Sequence, residues 1–142
     1  DSVRFHTYWA RGVSARDIRD DGTIVPTAAG GSIPFAPEIT IPALKAMHDR
    51  YGDLLYNQYG FLDAFNPTFR HVEGVAPERG VVDPEHGWFD GDQLGIDQGP
   101  ILLMLENYRS DLIWRVMRKS DVIVHGLCRA GFSGGWLEGR CE

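Results

Sequence analysis

Cysteine is scarce in this 142-residue chain, and the two present, Cys128 and Cys141, form neither a CxxC pair nor a Cys/His cluster. Neither a structural zinc site nor a disulfide framework is indicated, and the redox compartment stays open. A basic stripe is missing as well. Arg and Asp/Glu interleave to a formal net charge of −6, which lacks the electrostatic footprint of a nucleic-acid surface. Long hydrophobic runs are also wanting: the longest, Ile101 to Leu105, falls far short of the roughly 20 residues a membrane-spanning helix needs. The stretch "AAGGS" at 28–32 has no P-loop lysine, and no G-x-S-x-G nucleophile elbow occurs. The first residue is Asp1 with no charged-then-apolar leader behind it, so a piece of a longer chain is expected.

The length suits one domain with a real core. Residues 1 to 35 are rich in Gly, Pro, Ser and Asp and read as loop. Ile41, Leu44, Met47 and Tyr51 recur at helical spacing, which predicts a helix over about 41–51 with Thr40 as N-cap and Gly52 as stop. Pro42 is expected to break any helix running through from Pro37. A short helix over about 53–59 ends at Gly60, and a polar loop fills about 70–94, a length that is often functional. The longest helix is expected over about 98–118, and a last one, capped by Ser120 and closed by Gly131, over about 121–130.

"GIDQGPILLMLENYR", residues 95 to 109, puts an acid and an amide directly before an apolar run. On a helical wheel Ile101 and Tyr108 fall within about 40° of Asp97, whereas Leu102, Leu103 and Met104 point widely apart. A helix that is apolar all round is enclosed by protein on every side, which suggests the inner layer of a two-layer helical assembly. Asp97 reads as an N-cap at the positive end of that helix. Pro100 has no N–H, so only Gly99 remains as a usual donor and one carboxylate oxygen stays free.

The acidic loop 83–97 does not satisfy an EF-hand: with Asp90 and Asp92 at positions 1 and 3, Leu94 and Ile101 occupy positions that need oxygen ligands. No metal or cofactor is assigned. The aromatics Trp88, Phe89, Phe65, Phe61, Tyr59 and Tyr108 lie near Asp, Asn and Gln; they read mainly as core, and a flat apolar face beside fixed polar groups also suits a sugar ring. His48 and His125 read as structural. Glu106 lies about 180° around the helix from Asp97 and about 13 Å along it, so the two cannot form one catalytic couple, and Glu106 pairs with Arg109 in a structural network.

Several stretches together resemble the glycoamylase-like domain family, which is similar to endo-β-1,2-glucanases and to a central domain of cyclic β-1,2-glucan synthases. They are "DGTIVPTAAGGSIPFAPE" (21–38), "YGFLDAFNPTF" (59–69), "LGIDQGPILLMLENYRSDLIWRVM" (94–117) and "GLCRAGF" (126–132), in the family's order. The segments "ARDIRDDG" (15–22) and "RHVEGVAPERGVVDPEHG" (70–87) depart from its pattern.

The resemblance implies an all-α fold, an (α/α)6 barrel whose pocket is lined by inner-helix N-termini and their loops. Some twelve helices of average length need well over twice this chain, so the chain is expected to be the C-terminal third of one catalytic domain, inactive alone, with the missing N-terminal part as its partner. It implies a glycoside hydrolase acting on β-linked glucan, β-1,2-glucan first, by an inverting mechanism whose acid lies outside the chain. Transglycosylation in cyclic glucan synthesis and a non-catalytic carbohydrate-binding domain are the alternatives. Asp97 is expected to serve the attacking water or a sugar hydroxyl, with Gln98 as its companion. Glu38, Asn66, Trp88 and Tyr108 are candidate substrate contacts. The family context implies a periplasmic or secreted protein.

Overall fold

The computed structural model describes residues 11–13, 15–71 and 77–141. Helices dominate, and short antiparallel strands fill the connections, so the all-α expectation holds only for the main elements. Residues 1–10 of the expected N-terminal loop lie outside the described residues. Its remainder is not all loop: β1 (Gly12–Val13) pairs with β2 (Ile18–Arg19), and α1 (Pro26–Gly31) starts with a proline at its first position, where no N–H is needed.

α2 runs Pro37–Tyr51, straight through Pro42. The expectation that Pro42 would break it is overturned: Pro42 sits in the second turn, where its missing N–H frees a single carbonyl, and Pro37 supplies the start. Thr40 is therefore not a cap. It is buried inside the helix and its hydroxyl donates to the Ala36 carbonyl at 3.0 Å. After α2 a 3-10 turn, Gly52–Leu54, leads into a hairpin of β3 (Tyr56–Asn57) and β4 (Gly60–Phe61), where a short helix over 53–59 was expected. Asn57 drives the reversal, its side-chain oxygen accepting the Tyr59 N–H at 2.8 Å.

The supposed polar loop contains sheet. β5 (Phe65–Asn66), β6 (Val81–Asp83) and β7 (Gly87–Phe89) form a three-stranded antiparallel unit with β7 central, Phe65 opposite Phe89 and Asn66 opposite Trp88. The turn between β6 and β7 is built by Asp83, whose Oδ1 accepts the N–H groups of Glu85 and His86. Gly87 has φ +103°, and a Cβ there would lie 2.2 Å from the Asn66 carbonyl oxygen, so only glycine fits between the two strands.

The core sits between this sheet and α2. Leu55, Phe65 and Phe89 are its buried centre, with Met47, Tyr51, Leu54, Phe61 and Leu62 packed around it. Phe65 and Phe89 stack at 5.8 Å between ring centroids, and Tyr51 lies against both. On the other side, α1 meets α3 (Gly95–Ser110) closely enough that a Cβ on Gly30 would come within 2.7 Å of Ile101 Cγ1.

α3 ends earlier than the expected 118. Asp111 takes the left-handed conformation at φ 57°, and α4 (Leu112–Met117) departs from it. Buried Asn107 accepts the Trp114 N–H, and Asp111 receives a two-pronged contact from Arg118, so side chains hold the break. α5 (Asp121–Arg129) follows Ser120 as expected. Against expectation, Cys128 and Cys141 form a disulfide: the turn at Gly131 and the 3-10 segment Gly135–Leu137 fold the tail back until the two Cα atoms are 5.3 Å apart.

Helix faces are left uncovered. Ile96, Leu102, Ile39 and Val122 are exposed, Leu102 at 69%, so the described residues do not enclose α3 on all sides. No helix among the described residues is long and apolar enough to cross a membrane.

Candidate active site

The pairing of β5 with β7 continues outward beyond the strands themselves. Asp90 N–H donates to the Ala64 carbonyl at 2.9 Å, and Asp63 N–H donates to the Asp92 carbonyl at 3.0 Å. This extension lays Asp63 beside the segment that enters α3. Two glutamines fasten it there: Gln98 Nε2 donates to the Phe61 carbonyl at 2.7 Å, and Gln93 Nε2 to that of Gly60 at 3.4 Å. Gly60, at φ +112°, lets the strand pass under Gln98 Oε1.

Leu94 occupies the cap position of α3, without any side-chain cap bond, and Asp97 stands at the third helical residue. The N-cap role expected of Asp97 is thus corrected. Its own N–H is bonded to the Leu94 carbonyl at 3.0 Å, and Asp63 lies near enough to feel its charge. Negative charge is favoured at such a helix start.

Asp63 is pushed up to about 7. Burial is the main cause, followed by the hydrogen bond and the charge of Asp97 and the charge of Asp90, while the Arg11 guanidinium opposes the rise. Asp90 is itself buried, and burial raises it, against the hydrogen bonds it accepts from the Asp92 and Gly91 N–H groups. A carboxyl raised this far can give or take a proton near neutral pH. Sequence reading missed Asp63. The available signal was the pattern of turn formers around Gly87-Trp88-Phe89, which reads as a hairpin and implies a partner strand for the "FLDAFN" stretch.

The other sequence candidates are dispersed. Gln98 is next to Asp97 and is used as the strand anchor. Asn66 is fully buried, its amide donating to the Asp21 carbonyl at 2.9 Å and to Thr23, and its oxygen accepting from the Thr68 N–H and hydroxyl. Trp88 is fully buried with its indole N–H on the Arg79 carbonyl at 2.8 Å. Glu38 is exposed in the first turn of α2, and Tyr108 is half exposed on α3. Glu106 and Arg109 meet at 3.7 Å on the helix surface, as the structural reading expected. Asp21 is held low: burial alone would raise it, and the bidentate Arg11 together with Thr23 outweighs burial. No group of three or more His, Cys, Asp or Glu side chains among the described residues is arranged to hold a metal ion.

The described chain is thus dominated by helices, with Asp63, Asp90 and Asp97 gathered about the start of α3. The Glycoamylase family model matches residues 1–121, and the chain belongs to that family. It is 31% identical over 109 residues to an exo β-1,2-glucooligosaccharide sophorohydrolase (non-reducing end) of Parabacteroides distasonis, which covers 77% of this chain and 13% of that protein. Among solved structures it is similar to an endo-β-1,2-glucanase of Chitinophaga pinensis, in complex with sophorotriose and glucose, at 30% identity and TM-score 0.67, over 90% of this chain and 26% of that one. A β-1,2-glucanase of P. distasonis matches at 30% identity and TM-score 0.60, over 77% of this chain and 13% of that one. The chain thus spans between about an eighth and a quarter of the length of these relatives.

Proposed function

We propose that this chain is the C-terminal portion of a glycoside hydrolase domain that cleaves β-linked glucan, with β-1,2-glucan as substrate. The observation that carries the reading is Asp97 on the first turn of α3, with the carboxyls of Asp63 and Asp90 nearby, in a chain whose relatives bear the names of β-1,2-glucan hydrolases. Hydrolysis with inversion needs one carboxyl to protonate the leaving oxygen and another, about 6.5–9.5 Å away, to activate water on the opposite face. Asp97 takes the water side as the base, and the proton-donating acid is supplied by the rest of the domain.

That remaining part would also cover the exposed faces of α2, α3 and α5 and complete an (α/α)6 barrel. Its absence leaves the fragment inactive. The Cys128–Cys141 disulfide favours an oxidising compartment, in keeping with a periplasmic or secreted enzyme.

The test is turnover of linear β-1,2-glucan by the protein at its natural length, with and without Asp97→Asn. Linear short glucans released by the parent and lost in a folded variant support the hydrolase. Ring products would point to transglycosylation, and full activity of the variant would remove Asp97 from the chemistry.

A further inference from the structure

Resting on that reading, we infer that Tyr59 is a glucose-contacting residue of the site, carried on the β3–β4 hairpin, and that Gln98 is the residue that positions it. Hydrogen bonds place the hairpin at the start of α3. Gln98, the residue after Asp97, donates through Nε2 to the Phe61 carbonyl at 2.7 Å, and Gln93 donates to the neighbouring Gly60 carbonyl at 3.4 Å. A Cβ on Gly60 would lie 3.2 Å from Gln98 Oε1, so the backbone next to Tyr59 runs directly against the Gln98 side chain.

The hairpin is also held away from α3. Tyr56 and Phe61 are paired across its strands with ring centroids 5.0 Å apart, and His48 of α2 meets Tyr56 edge to face at 4.9 Å. At the base the Leu62 N–H donates to the Leu55 carbonyl at 2.8 Å, and at the tip Asn57 Oδ1 accepts the Tyr59 N–H at 2.8 Å. Tyr56 and Phe61 are thus engaged in packing, whereas Tyr59 is 74% exposed on a backbone fixed at both ends. A ring so placed gives the core little and offers a flat apolar face beside a hydroxyl. A glucose ring has the complementary surface, an apolar face of C–H groups edged by hydroxyls, and small-molecule sites pair apolar lining with a few placed polar groups. Holding the ring in advance lowers the ordering cost of binding.

The experiment is steady-state kinetics on linear β-1,2-glucan for the protein at its natural length and its Tyr59→Ala, Tyr59→Trp, Gln98→Met and combined Tyr59→Ala with Gln98→Met variants. Calorimetry measures glucan binding in an Asp97→Asn background, and melting temperatures are read throughout. Tyr59→Ala should raise KM about tenfold, by more than it changes kcat, weaken glucan binding to a similar extent and leave the melting temperature in place. Tyr59→Trp keeps an aromatic face and should recover most of the loss. Gln98→Met should raise KM in the parent but add little in the Tyr59→Ala background, because its hydrogen bond acts through Tyr59. If Tyr59→Ala keeps the parent KM and glucan affinity, the inference is overturned while turnover by the parent, lost in Asp97→Asn, leaves the hydrolase reading standing. An equal rise on Gln98→Met in both backgrounds would overturn the positioning role. If the parent leaves the glucan uncleaved, both readings fall.

Discussion

The N–H of Asp63, on the connection between β4 and β5, donates to the Asp92 carbonyl at 3.0 Å, and this extension of the β5–β7 pairing lays Asp63 beside the segment that enters α3. Burial there, together with Asp97 and Asp90, raises Asp63 to about 7 from the ordinary value of 3.8. Between those values the folded chain binds a proton that the unfolded chain has released, so stability is greatest below about pH 4 for this group and declines as pH rises toward 7. Asp63→Asn removes the decline. Thermal unfolding of the variant should match the parent near pH 4 and exceed it at pH 8, and a parent that is equally stable relative to the variant at both pH values would refute the shift.

Asn66 should matter for stability more than for binding. Its fully buried side chain ties the "DDGT" turn to the "NPTF" turn through the Asp21 carbonyl and both Thr68 donors. Asn66→Ala removes these ties, with water able to reach Thr68, and should cost about 1–2 kcal/mol, read from urea unfolding. A loss of sugar affinity with unchanged stability would return Asn66 to the substrate side.

The elements legible in the sequence were those with local punctuation. Ser120 and Gly131 bracket α5, and the apolar positions of α2 and α3 carry helical spacing; each is a property of neighbours along the chain. What escaped is non-local or exceptional. Asp111 adopts a left-handed conformation that its residue type tolerates but does not require, and the Arg118 and Asn107 contacts that hold the break arise only in the fold. Pro42 reads as a breaker because the compensating start at Pro37 is weighed less than the lost hydrogen bond. Asp97 was visible as an acid at a helix mouth. Asp63 was not, because its partner comes from pairing across the sheet, and the disulfide was not, because spacing alone does not bring Cys128 and Cys141 together.

The contact between α1 and α3 has no room for another carbon. A Cβ at Gly30 would lie 2.7 Å from Ile101 Cγ1 and 3.2 Å from both of its methyl carbons, so the whole branched side chain must move. Because α3 carries Asp97, a shift there acts on the site as well. Gly30→Ala should destabilise by about 1–3 kcal/mol, despite the better helix propensity of alanine. A smaller cost of Gly30→Ala in an Ile101→Ala background than in the parent would place the cost at this contact, and an unaltered melting temperature for Gly30→Ala alone would disprove it.

The disulfide closes the C-terminal tail onto α5 across a sequence separation of 13. Chain-entropy reasoning gives about 3 kcal/mol for a loop of this length. Other ties in the tail are weaker and partly exposed: Arg140 donates to the Arg118 carbonyl at 2.7 Å and lies over the Trp136 ring, and Leu137 is the buried anchor. Replacing both cysteines by serine should therefore lower the melting temperature of the parent and speed hydrogen exchange in residues 131–141, while the β5–β7 sheet keeps its protection. The distinction is physical, because the sheet packs on α2 through Phe65, Phe89 and Tyr51 and shares none of those contacts with the tail. Equal loss of protection in both regions would mean that the tail and the sheet unfold as one cooperative unit.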